Sequence, residues 1–273
     1  MRLSFTCVGR LAAALVLAFT VTSCGGDSPN PAPSPTSPTP AAPPPAPAPL
    51  PPVTPSGANW SFWRTQGGSL DALEGSFDPS GGATTGVLAP FGRCFQPDSD
   101  RALFTGTRSG LTIALESQPV NRQVIKLSGQ LSPAGDTFEG AYSMNGLCTD
   151  GVQHDGAQHS MVGRLVDLTG RWAGKLGAIP IVIDMHMAST PDASAGYALT
   201  GSVTFSNTQC SPNASITRRA RGRWLFPDIV SGAQRLELIG TVSQDLSTMG
   251  LDYALVSGTC PELDFGSGSL VRQ

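Results

Sequence analysis

Apolar residues in this 273-residue chain recur at every second position, and the order in which they do so occurs twice. Trp60 opens one copy and Trp172 the other. Gly86, eight residues before Cys94, answers Gly201, nine before Cys210. Ile125, Leu127, Gly129 and Leu131 match Leu236, Leu238, Gly240 and Val242 in phase. Tyr142 precedes Cys148 by six residues, and Tyr253 precedes Cys260 by seven. Each copy ends in a short glycine-led apolar stretch, from Gly163 and from Gly268. A period of two puts successive side chains on opposite faces of an extended strand, and no stretch of twelve residues carries a helical stripe. Such a chain must pair its strands into sheets, and a repeated order implies two similar modules.

The alternation assigns faces. Ile179, Ile181, Ile183, Met185 and Met187 share one side of a strand, with Val182, Asp184 and His186 on the other. Further on, Ile216, Ala220, Gly222, Trp224 and Phe226 read as one face, opposite Arg219, Arg221 and Arg223. Seven or eight strands per copy are joined by turn-rich segments such as Ser132-Pro133-Ala134-Gly135-Asp136, which gives an all-β antiparallel meander. A sheet that must hide its edges closes, so each copy is expected to be a small barrel, with a two-sheet sandwich as the alternative. The modules are placed at 57–167 and 168–273.

Before them stand two segments of other character. Arg2 and Arg10 flank the start of an apolar run, Leu11 to Val21, which is too short for the ~20 residues of a membrane span and reads as an export signal. Val21-Thr22-Ser23-Cys24 resembles the lipobox of bacterial lipoproteins. The resemblance implies cleavage after residue 23 and a lipid on Cys24, hence a membrane partner reached through that anchor. Gly25 in the following position implies the outer membrane, with the body facing the periplasm or the cell surface. Residues 24–56 are then a lipidated cysteine and a Pro/Ala-rich linker. From Pro29 to Pro55 the composition cannot bury a core, and at ~3.1 Å per residue it reads as a disordered spacer of roughly 80 Å.

Removing Arg2 and Arg10 from 17 basic residues leaves 15 against 20 acidic ones, a net charge of −5. That balance offers no general attraction for nucleic acid. Cys7 leaves with the signal and Cys24 takes lipid, so four cysteines remain, and four allow three pairings. Joining Cys94 to Cys148 and Cys210 to Cys260 keeps each copy self-contained, in an exported chain where disulfides persist.

The glycine and tryptophan of Gly170-Arg171-Trp172 resemble the opening of the first strand in lipocalin-like barrels. The resemblance implies that an arginine from the last strand, Arg272 or in the first copy Arg164, packs over the tryptophan. Two clusters carry possible chemistry. Asp150, His154, Asp155 and His159 lie in a segment that the second copy lacks, since Cys148 to Gly163 spans fifteen residues and Cys260 to Gly268 only eight. Imidazole with carboxylate suits a borderline metal, and a metal-dependent hydrolase is the reading these residues would support. However, His-x4-His in what reads as a polar loop matches no established motif, so no metal and no cofactor are assigned. Arg219, Arg221 and Arg223 form a stripe suited to a phosphate or carboxylate partner, or else a strand face paired with acids such as Glu237. The chain is accordingly expected to be a non-enzymatic envelope lipoprotein that binds an anionic envelope component or small ligand, with a purely structural role as the remaining alternative.

Overall fold

The computed structural model describes residues 57–96, 100–148, 151–206 and 213–273. The signal, Cys24 and the linker lie outside the described residues, as do Asp150 and Cys210. The first sheet runs β1 (Ala58–Arg64), β2 (Leu70–Asp78), β3 (Ala83–Gly92), β4 (Ala102–Ser109), β5 (Thr112–Ser117), β6 (Gln123–Leu131), β7 (Thr137–Leu147) and β8 (Gln153–Leu165). The second runs β9 (Gly170–Leu176), β10 (Ile179–Pro191), β11 (Tyr197–Phe205), β12 (Asn213–Arg221), β13 (Trp224–Ser231), β14 (Gln234–Val242), β15 (Thr248–Ser257) and β16 (Phe265–Arg272), with one 3-10 turn at Pro261–Leu263. In each sheet every strand pairs antiparallel with its sequence neighbours, and the last pairs with the first: β8 with β1, and β16 with β9. The chain is therefore two closed eight-stranded meander barrels in tandem, and closure leaves neither sheet a free edge.

The duplication extends to hydrogen bonds. The Ser132 amide donates to Thr137 O at 2.8 Å and the Ser243 amide to Thr248 O at 2.8 Å. Within these matching turns, the Ser132 hydroxyl accepts from the Thr137 amide and the Ser243 hydroxyl from the Thr248 amide. Both interiors are filled by the inward positions. In the first barrel Trp60 stacks on Phe62 at 5.5 Å, and Phe77 and Phe138 meet Phe62 edge-on. In the second, Ile181, Ile183, Leu199, Ile216, Leu238 and Leu270 form one buried core with Trp172. Burying each such side chain contributes about 1.5–3 kcal/mol. At the Cys260 end of the second barrel a void of about 20 Å³ remains, room for one water. The guanidinium of Arg272 lies 5.5 Å over the Trp172 ring, whereas Arg164 turns away and donates to Gln244 O.

Part of the outer wall of the first barrel is also buried. Asn59, Ser61, Ala72, Glu74, Ser76 and Ala89, all on the outward faces of β1 to β3, are covered. They are covered from the second barrel, by Met187 of β10, 3.6 Å from Asn59 Nδ2, and by the β12–β13 hairpin. Its two-residue turn, Gly222-Arg223, has glycine at φ +54°, the left-handed value demanded at the first central position of a II′ hairpin. The Asn59 side chain pairs with both backbone groups of Gly222: its Nδ2 donates to Gly222 O at 3.1 Å, and its Oδ1 accepts from Gly222 N at 2.6 Å. Trp224 stacks on Phe91 at 5.1 Å, and the Arg223 guanidinium sits 4.8 Å over Trp63. A Cβ on Gly222 would come within 1.5 Å of Glu74 Oε2.

Gly110 occupies the equivalent turn of the first barrel at φ +61° with open space around it. Gly110→Ala should therefore cost only the backbone strain, about 1 kcal/mol, whereas Gly222→Ala should cost at least about 2 kcal/mol more because the docked carboxyl must move. Denaturant titration of the two variants measures the difference; equal losses would mean that the junction adds nothing to stability.

Candidate functional site: an arginine cleft beside a buried carboxyl

On β12, Ile216 and Ala220 point into the barrel, and Arg219 and Arg221 point out. The strand ends at Arg221, which pairs in register with Trp224, so the two share the outward side. This corrects the single continuous alternation expected over 216–226. The turn at 222–223 resets the phase: Trp224 and Phe226 face outward, and Arg223 leaves the stripe to pack on Trp63. Arg218, at φ +86°, also turns its side chain outward, opposite Pro227.

The three remaining cleft arginines hold the turn between β10 and β11. Arg219 Nη1 donates to Ser194 Oγ at 2.8 Å, while Arg221 Nη2 and Arg101 Nε both donate to Ser194 O at 3.2 Å. The turn is itself organised by Asp192, whose Oδ1 accepts from the Ser194 amide, the Ser194 hydroxyl and the Gly196 amide. Burial pushes the Asp192 carboxyl up, but those hydrogen bonds and the Arg219 charge outweigh it and hold the group below the ordinary aspartate value. Arg101, Asp192, Ala198, Arg218, Arg219, Arg221 and Phe226 line a cleft of about 550 Å³. Arg218 is balanced by a network of its own, 3.2 Å from Asp228 and 3.6 Å from Glu237, which Arg235 shares. The cleft thus gathers three guanidinium groups, Arg101, Arg219 and Arg221, around the turn that Asp192 organises.

Beneath this cleft Arg221, 2% exposed, contributes its charge to the field at Glu74, which is wholly buried. Glu74 Oε1 accepts from the Ser61 hydroxyl at 2.8 Å and Oε2 from the Arg223 amide at 2.9 Å. Burial pushes Glu74 up to about 8; Arg223 pulls the other way, yet its Nε stands 4.0 Å from the carboxyl and is spent on Ser61 Oγ at 3.0 Å, so desolvation wins.

From Gln153 onward the polar segment after Cys148 is strand rather than loop. β8 begins at Gln153, because β7 is long and its last residues need a partner: Gly146 pairs with His154 and Leu147 with Gln153. His154 and His159 stand at separate places along this strand. His159 packs on Tyr142 with ring centres 5.3 Å apart, Asp155 Oδ1 accepts from the Ala157 amide, and His154 Nε2 lies 3.3 Å from Cys94 Sγ. The Asp-and-His set is therefore not assembled among the described residues. Cys94 and Cys148 form a disulfide, and Cys260 is disulfide-bonded as well. His186 faces outward next to Asp184, whose carboxylate is engaged by Arg171.

Sequence reasoning missed Arg101 and Glu74. Arg101 has no basic neighbour, and Glu74 sits between Ala72 and Ser76 in a pattern indistinguishable from a solvated strand face. No family model, no curated protein sequence and no solved structure matches the chain.

The Glu74 environment fixes the sign of a pH dependence. Below about pH 4.5 the carboxyl is protonated in folded and unfolded chains alike; between 4.5 and 8 only the unfolded chain gives up its proton, so stability falls as pH rises and levels off above 8. The folding constant should drop by up to about tenfold per pH unit in that window from this group. Glu74→Gln should remove this component when unfolding midpoints are compared from pH 4.5 to 8; identical pH profiles in the two proteins would refute the assignment.

Proposed function

We propose that the chain is a membrane-anchored envelope lipoprotein whose two-barrel body binds an anionic partner, without catalysis, in the cleft of Arg101, Arg219 and Arg221. Residues 1–23 act as the export signal, Cys24 carries the lipid, and the Pro/Ala-rich linker holds the body away from the outer membrane, on its periplasmic or surface side. The observation that carries the binding role is the convergence of three guanidinium groups on one turn in a cleft of about 550 Å³. Guanidinium groups present planar forks of donors that match phosphate and carboxylate oxygens. Ser194 holds all three in place before a ligand arrives, which lowers the entropy cost of binding. Phe226 adds an apolar wall, and in an envelope the matching chemistry is a phosphorylated or carboxylated glycan.

Lipopolysaccharide titrated into the full chain tests this reading. Binding should weaken as salt is raised from about 0.01 M to 0.15 M, where the screening length contracts from about 30 Å to 8 Å. The pair Arg101→Gln and Arg219→Gln should weaken it at least about tenfold, with Arg235→Gln, outside the cleft, as the control. Affinity that survives the paired substitution would overturn the site. Separately, Cys24→Ser should abolish lipid labelling and release the protein from membranes; persistent labelling would refute the anchor.

A further inference from the structure

The disulfide end of the first barrel brings together more than a cross-link. Cys94 follows β3 and Cys148 follows β7, so both lie in connecting segments rather than in the ladder. Both are nearly inaccessible to water. His154 reaches them from β8, and the two sulfurs and one imidazole nitrogen all lie within 4.8 Å of one another. Two thiolates and a histidine around one point form a donor set for zinc, which takes sulfur at about 2.3 Å and nitrogen at about 2.0–2.1 Å in a tetrahedron. A second, independent feature stands beside it. Gln123 is completely buried, and neither its Nε2 nor its Oε1 has a hydrogen-bond partner among the described residues. Gln123 pairs in register with Gly146, and Gly146 with His154. Register partners share a face, so Gln123 and His154 lie on the same inward face with only a glycine between them. An orphaned buried amide costs roughly 1–3 kcal/mol, and its placement here supplies a polar group for the fourth coordination position, directly or through a metal-bound water.

We propose that the Cys94–Cys148 disulfide is the oxidised form of a redox-gated metal site, in which Cys94, Cys148 and His154 bind one zinc-like divalent ion after reduction. The step uses a dithiol reductant. Its thiolate attacks the disulfide, the Cys94–Cys148 bond breaks, and the reductant departs as its own disulfide, leaving two thiols that hold the two electrons and two protons received. The ion then displaces both thiol protons to solvent and binds the two thiolates and the neutral His154 Nε2. Rotation of the two cysteine side chains lets the sulfurs separate to the roughly 3.7 Å that a tetrahedral ion requires. Asn121 steadies the Cys94 side, its Nδ2 donating to Cys94 O at 3.3 Å. The site belongs to the first copy alone: the chain has three histidines, His154, His159 and His186, and none follows Cys260.

The test uses the full chain carrying Cys7→Ser, Cys24→Ser, Cys210→Ser and Cys260→Ser, so that Cys94 and Cys148 are its only thiols. Oxidised, it should take up no zinc in competition with a chromophoric chelator; after reduction by a phosphine it should bind one ion per chain, and cobalt should give sulfur-to-metal charge-transfer absorption. His154→Ala should weaken zinc binding at least about a hundredfold, and Gln123→Leu by about tenfold, the effect expected of an outer partner. If reduction alone loosens the barrel, as near-ultraviolet circular dichroism would report, zinc should restore the signal in this chain and fail to do so with His154→Ala. Absence of uptake by the reduced chain, failure to restore a loosened barrel, or uptake indifferent to His154→Ala would overturn the proposal.

Discussion

A carboxyl group taken wholly out of water must find hydrogen bonds or lose its charge, and Glu74 does both. Its oxygens accept from Ser61 and from the Arg223 amide, and burial raises its affinity for a proton. Nothing in the first barrel alone provides that burial, because Glu74 points outward from β2. The lid is a turn of the second barrel, admitted only because residue 222 has no side chain. Asn59 matches the same turn's backbone, and Phe91 and Trp224 stack beside it, so one small polar contact is framed by apolar area. The two barrels are therefore joined by mutual fit as well as by the short segment between β8 and β9.

That junction also makes the cleft. Arg219 and Arg221 reach the Ser194 turn within the second barrel, whereas Arg101 comes from the first barrel and meets that turn only through docking. Three guanidinium groups meet there in a chain whose total charge is −3. The Arg218, Arg235, Asp228 and Glu237 network shows the contrasting arrangement, in which equal numbers of opposite charges neutralise one another. Both interiors are filled by aromatic and aliphatic side chains, which leaves the outer surface and the barrel ends as the places where a ligand can be met.

The two copies share strands, turns and tryptophans, and they diverge where chemistry collects. β8 is longer than β16 and carries His154 to the Cys94–Cys148 end; the second barrel has a 3-10 turn at the matching place. The β12–β13 turn projects Arg223 into its neighbour, while the equivalent turn at Gly110 meets open space. Duplication gave two equivalent closed walls, and substitutions at their rims and turns distinguish them.

Strand faces, the doubling, closure and the pairing of Cys94 with Cys148 were legible in the residues, because a period of two reports directly which side of a strand is apolar, and repeated order reports repeated packing. Inward positions such as Ile181, Ile183 and Ile216 followed it. The same period misled at 216–226, since a tight turn resets the phase without breaking the run of apolar residues, and it took the polar start of β8 for a loop because no apolar face marks a strand that pairs at a barrel rim. What the sequence determined by itself is thus local: which residues pair and which turn inward. Only the tertiary structure decided what covers the outward residues. Glu74 meets Arg223 across 149 positions and Asn59 meets Gly222 across 163, and alternation along one strand carries no information about a surface that arrives from another barrel.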